Sequence, residues 1–243
     1  MTRNHAQAIA LAFVFTAASP ASHADAVADW NKIALDTVVA SSRSSEQALK
    51  AMTTVHTAMF EALNFVDPRY KSQYTVESRA QPGAPGAAVA AGAAHHVLTE
   101  LYPARAAFLR QALQRSLGTI EDQQAAYAGA ITGKSIAQIV WAVRAPDHRE
   151  AAPRREATAA AAFDRLNGRP RWDVELRSLN SAIAALIESQ RLDLIDSARI
   201  HALAAGAAAD ATSARAEVGA SVGFRIGAIV QAALRPELLA SDR

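Results

Sequence analysis

The run AMTTVHTAMFEALNFVDPRY, residues 51–70, is the stretch of this sequence that decides the fold. Its larger apolar side chains recur at spacings of three and four residues, which places them on one face of an α-helix. That face consists of Met52, Val55, Met59, Leu63 and Val66. The helix is predicted to end at Asp67, because Pro68 disfavours helical geometry in the residue before it. An apolar face of this length must pack against other helices, so the run predicts a helical core.

The composition of the whole chain favours the same fold class. Alanine makes up about a quarter of the 243 residues, hydrophobic residues make up 51% and aromatic residues only 6%. Because alanine is the strongest helix former and lets helices approach closely, this composition favours a helical bundle over a sheet protein. The formal net charge of +2 is small and dispersed, so no nucleic-acid partner is expected.

Residues 1–24 are predicted to form a secretory signal peptide. An apolar segment at residues 8–18 follows a short basic start, and Ser22-His23-Ala24 offers small residues at the two positions that a signal peptidase reads. The mature chain would then begin near Asp25 and be periplasmic or secreted. An uncleaved amphipathic or membrane-anchoring helix is the alternative. No transmembrane segment is expected, because no later segment is long and apolar enough to cross a bilayer.

Apolar periodicity predicts one helix after another along the rest of the chain. Beside the central helix, which follows a polar capping turn at 41–45, helices are expected at residues 26–40, 87–102, 104–117, 122–144, 172–188 and 192–211. In the helix at 122–144 the larger apolar residues are expected to form the packing face. They are Ile131, Ile136, Ile139, Val140 and Val143.

We expect residues 25–243 to form a single all-α domain, a bundle of about eight or nine helices. A charged run with two prolines at residues 145–156 lacks apolar periodicity and is predicted to be a loop. It would join two helical subgroups, residues 25–144 and 157–235.

A last helix, ending near Leu234, carries Gly219, Gly223 and Gly227 at intervals of four residues. This spacing lays glycines along one helix face, which indicates a helix-contact face rather than a phosphate loop. A phosphate-binding glycine loop follows a strand and carries a lysine, and neither condition is met here.

Short motifs occur in order along both halves of the chain. In the first half they are Asp29-Trp30-Asn31, Ile33-Ala34, Ala51-Met52, Val55-His56, Ala58-Met59-Phe60, Glu61-Ala62, Asn64 and Pro68-Arg69-Tyr70. In the second half they are Leu192-Asp193-Leu194, Ala198-Arg199, Ala202-Leu203 and Ala209-Asp210-Ala211. In this order they resemble the helices of bacterial vanadium-dependent haloperoxidase-like proteins. That superfamily includes the type-2 phosphatidic acid phosphatases and bacterial acid phosphatases.

The resemblance implies a helical scaffold and a chemistry centred on vanadate or phosphate, which needs basic donors around the oxyanion and a histidine. The family supplies these from a lysine followed by Arg-Pro, a Pro-Ser-Gly-His segment, and a Ser-Arg segment with a later histidine and aspartate. None of the three occurs in this sequence. Lys134 and Arg144 come too early in the order, and Ala145 separates Arg144 from Pro146. The resemblance therefore implies a shortened scaffold without the oxyanion-binding insert, in which Arg215 is a remnant and vanadate is not expected.

Three hypotheses about function follow from the resemblance. The first is an exported pseudoenzyme that acts by binding or association. The second is an active phosphoesterase or haloperoxidase-like enzyme with a reduced oxyanion site, built from Arg215, His201 and His56 or completed by a partner chain. The third is a structural subunit of an assembly, such as a homo-oligomer, that makes contact through the glycine face.

Two pairs of ionisable residues are the remaining catalytic candidates. His56 and Glu61 form one potential acid–base pair, but residues five apart on a helix do not share a face well, so both are expected to be buried structural groups. His201 and Asp210 lie about two and a half turns apart on one helix, too far for direct contact. One of them is expected to face a neighbouring helix and the other to face solvent.

No metal site is predicted. The adjacent residues His95 and His96 project in different directions, which is poor metal geometry. Arg105, Arg110 and Arg115 form a loosely spaced basic series that is typical of a solvated helix face.

Overall fold

The computed structural model describes residues 24–42, 44–74, 83–149 and 171–216. Within these ranges it contains seven α-helices, one 3-10 helix and no β-strand, which confirms the all-α fold class. The α-helices are α1 (Ala24–Ser41), α2 (Ser45–Val66), α3 (Gly86–Leu101), α4 (Ala106–Gly118), α5 (Gln123–Arg149), α6 (Arg171–Gln190) and α7 (Leu194–Ala216), and the 3-10 helix is Pro103–Arg105.

Several predictions concern residues outside these ranges. They are the signal peptide apart from residue 24, most of the 145–156 loop, the glycine face at Gly219, Gly223 and Gly227, and whatever further helices the expected eight or nine include. None of the seven described helices combines the length and the apolar character needed to cross a membrane.

Helix α2 begins and ends for the local reasons that the sequence suggested. The Ser44 side chain caps its N-terminus by accepting a hydrogen bond from the Gln47 backbone N–H at 3.2 Å. Its last turn closes with the Asp67 N–H donating to the Leu63 carbonyl at 2.9 Å, immediately before Pro68. The helix starts six residues before the quoted run, at Ser45, because the cap and not the apolar stripe determines where it begins.

Helix α2 is the centre of the bundle. Fifteen of its 22 residues are buried, including polar ones, so neighbours surround it on most sides. Its most extensive contacts are with α7, α3 and α5, and α1 packs against it as well. The second helical subgroup therefore packs directly on the first through α7.

Helices α3 and α5 make the most extensive contact of the described structure, and small residues form it. A Cβ added to Gly92 would lie 2.7 Å from the Ala130 Cα, and one added to Gly133 would lie 2.8 Å from the Val89 carbonyl carbon. The two backbones touch at this crossing because neither glycine has a side chain to hold them apart.

This crossing corrects the packing face that was predicted for α5. Ile136 and Val140 are buried, but Ile131 is 65% exposed, Val143 is 61% exposed and Ile139 is 37% exposed. The helix turns its glycines and alanines towards α3 because only they allow the close approach. The larger side chains on the other face are left in solvent.

The predicted loop at 145–156 starts too early, because α5 continues to Arg149 with Pro146 inside it. A proline removes one helical hydrogen bond and crowds the preceding turn. A hydrogen bond to α2 and contacts within α5 offset that cost. Ala145 is buried, and the His148 ring stacks on Trp141 at 5.5 Å and hydrogen-bonds through Nε2 to the Thr54 hydroxyl at 3.0 Å.

A turn after α2 fastens this helix to the start of α7. The buried Asn64 side chain organises the turn, since its Oδ1 accepts from the backbone N–H groups of Arg69 at 3.0 Å and Tyr70 at 2.9 Å. Its Nδ2 donates to the Tyr70 carbonyl at 2.7 Å. Arg69 then pairs with Asp193, and the Tyr70 hydroxyl donates to Asp196 on the first turn of α7.

Replacing Asn64 with alanine is expected to lower the free energy of unfolding by about 2–3 kcal/mol, because three hydrogen bonds are lost at a buried side chain. Urea denaturation of the purified chain measures this value. Arg69→Ala is the matched control in the same turn. Its ion pairs are exposed to solvent, so the change should stay below about 1 kcal/mol. Equal losses for the two variants would contradict the organising role of Asn64.

Candidate functional site

The fold brings together two of the candidate residues, His56 on α2 and His201 on α7. The two helices run antiparallel, and the imidazole rings stack with centroids 4.7 Å apart and planes 11° from parallel. His56 is 1% exposed and His201 is 2% exposed. Burying two ionisable rings costs free energy, and such groups cluster at functional sites. The pair is therefore the strongest candidate site among the described residues.

A small cavity adjoins the pair, between α2, α6 and α7. Besides the two histidines it is lined by Leu49, Met52, Leu176, Leu179, Asn180, Ile183 and Ala205. Its volume is about 10 Å³, which is room for one water-sized sphere. Helix α6 forms the outer wall, because residues such as Arg177 and Glu175 on its other face are exposed.

Both histidines are neutral at neutral pH. Burial lowers the pKa of His201 from 6.5 to about 4. Burial also lowers the pKa of His56 well below 6.5, and repulsion from His201 adds to the effect. Neither Nδ1 atom has a hydrogen-bond partner among the described residues, although both are shielded from solvent. A neutral imidazole has one N–H donor and one nitrogen lone pair, so each ring keeps unused bonding capacity.

Glu61 lies near His56 in the sequence but serves a different part of the structure. Its carboxylate accepts a hydrogen bond from the Ser72 hydroxyl at 2.6 Å and one from the Gln73 backbone N–H at 3.2 Å. Burial raises the pKa of Glu61, and these two hydrogen bonds oppose the rise. Glu61 therefore holds the segment after α2, and no hydrogen bond joins it to His56 in the described structure.

The other candidates on α7 lie away from the cavity. Asp210 is exposed while His201 is buried, as the helical spacing predicted. Arg215 comes fourteen residues after His201 on the same helix. That separation corresponds to about 21 Å along the helix axis, which is more than the length of an arginine side chain.

His95 and His96 point to different neighbours. The His95 ring meets Trp30 edge-on at 6.5 Å, whereas the His96 Nδ1 lies 4.0 Å from a Glu100 carboxylate oxygen. In the ranges that the structure describes, no group of three or more histidine, aspartate and glutamate side chains is placed to hold a metal ion.

The arginine series on and before α4 divides in two. Arg110 and Arg115 are exposed, as a solvated face requires. Arg105 is half-buried, with its guanidinium carbon 4.7 Å from the centre of the Phe108 ring, so this residue covers an aromatic ring instead of facing only water.

Sequence reasoning placed Met52 on the apolar face of α2 without linking it to His56, and it did not single out Asn180, although both residues line the cavity. Met52 and His56 are four residues apart on α2, and this spacing on one helix face could have identified them as neighbours. Asn180 had no comparable pattern, because it reaches the cavity from a helix that is distant in sequence. Its Nδ2 donates back to the Leu176 carbonyl at 2.8 Å.

The chain was compared with protein-family models, with curated proteins and with solved structures. None of these three comparisons found a match.

Proposed function

We propose that this chain is an exported member of the vanadium haloperoxidase and acid phosphatase superfamily that is catalytically degenerate and acts by binding or association. The observation that carries the proposal is the character of the histidine cavity. Among the described residues that line it there is no arginine or lysine. Oxyanion chemistry requires several preorganised positive or N–H donors where the negative charge develops. The polar lining consists of two neutral histidines and Asn180, whose Nδ2 already donates to the Leu176 carbonyl, so no cationic group faces the cavity.

The contacts between the resembling motifs support a role as scaffold. The motifs that contain Asn64 and Arg69-Tyr70 meet those that contain Asp193 and Arg199. Arg69 pairs with Asp193, and the Arg199 guanidinium carbon lies 4.4 Å from the centre of the Tyr70 ring. These side chains attach α7 to the end of α2, which accounts for their joint presence without a catalytic role.

The active-enzyme alternative needs Arg215 and the two histidines in one pocket. The distance of about 21 Å along α7 between His201 and Arg215 weighs against it. A version completed by a partner chain would not need Arg215, but the partner would have to deliver its basic groups to a cavity that α6 borders and whose lining residues are all buried.

A specific observation favours association. Tyr127 and Ile131, four residues apart on the outer face of α5, are 59% and 65% exposed. Neighbouring large apolar side chains exposed on one helix face favour contact with another molecule, whereas single scattered ones do not. Association through this face would agree with a structural-subunit role and does not require the glycine face.

Enzyme assays on the purified chain test the proposal. Bromide oxidation by hydrogen peroxide with added vanadate, and phosphate release from p-nitrophenyl phosphate, should both remain at the rate of a protein-free blank. The physical reason is the missing ring of cationic donors, each of which is worth about 3–4 kcal/mol of transition-state stabilisation.

A robust rate that is abolished by Arg215→Ala or His201→Asn would overturn the proposal. Asp210→Asn, an exposed change on the same helix, is the matched control and should not alter such a rate. Light scattering on the same sample measures whether the 25.6 kDa chain self-associates.

A further inference from the structure

We infer that the cavity between α2, α6 and α7 is a binding site for one soft monovalent metal ion, with Met52, His56 and His201 as ligands and Cu(I) as the probe. This inference goes beyond the proposed function and does not depend on it, because it concerns no oxyanion and no reaction.

The donor set is the first reason. Met52 and His56 lie four residues apart on one face of α2, His201 faces them from α7, and all three line the same cavity. Thioether and imidazole groups are the donors that select copper over harder ions. The sequence contains no cysteine, so no thiolate competes for such an ion within the chain.

The unused nitrogens are the second reason. Met52 is 1% exposed, and the Nδ1 atoms of both histidines are buried without a hydrogen-bond partner in the described part of the chain. Buried polar atoms in native proteins are nearly always satisfied, and each exception requires an explanation. Coordination of a metal ion would satisfy a neutral imidazole nitrogen at each ring.

The size and shape of the site fit a single ion. The cavity has room for about one water-sized sphere. The rings are stacked, so their in-plane lone pairs do not yet meet at one point. The side-chain torsion that turns a histidine ring is broad, so the movement that the site requires is a rotation of one ring about this torsion to direct a nitrogen into the cavity.

The absence of carboxylates from the cavity favours a monovalent ion over a divalent one. No aspartate or glutamate is among the described residues that line the cavity, and Glu61 is engaged with Ser72 and Gln73. Calcium and magnesium need oxygen ligands, and a divalent ion would leave its charge uncompensated among leucine and isoleucine side chains. A monovalent soft ion leaves the least uncompensated charge.

Titration of the full chain with Cu(I) under anaerobic conditions, in competition with bicinchoninate, tests the inference. We expect one Cu(I) per chain, no comparable binding of Zn²⁺ or Mg²⁺, and an X-ray absorption spectrum with sulfur and nitrogen ligands. Met52→Leu, His56→Asn and His201→Asn should each weaken binding by about 100-fold or more, since loss of even an outer-sphere partner costs about 10–100-fold.

Matched controls separate coordination from general destabilisation. Met59→Leu and His96→Asn alter a buried methionine and a buried histidine that do not line the cavity, so Cu(I) affinity should be unchanged. Met52→Leu preserves the apolar volume and is expected to fold even where a histidine variant does not. The inference is wrong if the folded chain binds no stoichiometric Cu(I), prefers Zn²⁺, or keeps its Cu(I) affinity after Met52→Leu.

Discussion

Alanine in place of Gly92 or Gly133 is expected to lower the free energy of unfolding by about 3 kcal/mol, the upper end of the usual cost of overpacking. The new Cβ would lie 2.7 Å from the Ala130 Cα in the first case and 2.8 Å from the Val89 carbonyl carbon in the second, and closer still to the carbonyl oxygens of these residues. These are backbone atoms, which cannot rotate away. The helices α3 and α5 would have to separate, and theirs is the most extensive contact of the described structure.

Urea denaturation of each variant measures the loss. Gly118→Ala is the matched control, because Gly118 is also helical but a Cβ there would meet no atom within 4 Å. This control should be neutral or stabilising by up to about 1 kcal/mol, as alanine is the better helix former. The Gly92 and Gly133 losses should not add in the double variant, since both arise at one crossing. A neutral Gly133→Ala would refute the close approach.

Acidification is expected to destabilise the fold by about 3 kcal/mol through His201 alone between pH 6.5 and about 4. The pKa of His201 is about 4 in the folded chain and 6.5 in the unfolded chain, so the unfolded chain binds more protons in this window. The contribution of His201 to the free energy of unfolding is therefore fully present above pH 6.5 and is lost as the pH falls towards 4. His56 acts in the same direction, since burial lowers its pKa as well.

The physical event is the entry of a proton into the stacked pair. No carboxylate lines the cavity to compensate the charge of an imidazolium there. Because the buried charge is unfavourable, α7 is expected to separate from α2. Burial also lowers the pKa of His95, His96 and His148, which adds to the acid sensitivity. Glu61 acts in the opposite direction. Because its pKa is raised in the folded chain, Glu61 contributes more to the free energy of unfolding at low pH and less as the pH rises.

Urea midpoints measured from neutral pH down to about pH 4 test this prediction. His201→Asn should remove a large part of the slope of stability against pH, whatever its own effect at neutral pH. Asp210→Asn, an exposed change on the same helix, should leave the slope intact. An unaltered slope in His201→Asn would show that other groups govern acid unfolding.

Much of the helix pattern was predictable because it depends on local chemistry. Ser44 caps α2 and Pro68 follows its end, as the flanking residues indicated. The extension of α5 through Pro146 was not predictable, because it depends on the hydrogen bond of His148 to Thr54, which joins residues far apart in the chain.

The candidate site was predictable only in part. The burial of His56 on α2 was expected, because His56 and Glu61 do not share a helix face well and were interpreted as buried structural groups. The second hypothesis grouped His201 with His56, but no spacing rule places a residue of α7 over a residue of α2. The exposure of Ile131 and Val143 shows the same limit, since the side of α5 that is buried depends on which helix it meets.

By itself the amino-acid sequence determined the helical class and most helix ends, because backbone propensity, capping groups and prolines act within a few residues of one another. Only the tertiary structure decided that Gly92 and Gly133 form the closest crossing and that His56 stacks on His201. The physical reason is that packing selects helix faces by shape and by the atoms available at each contact, and those atoms come from distant parts of the chain.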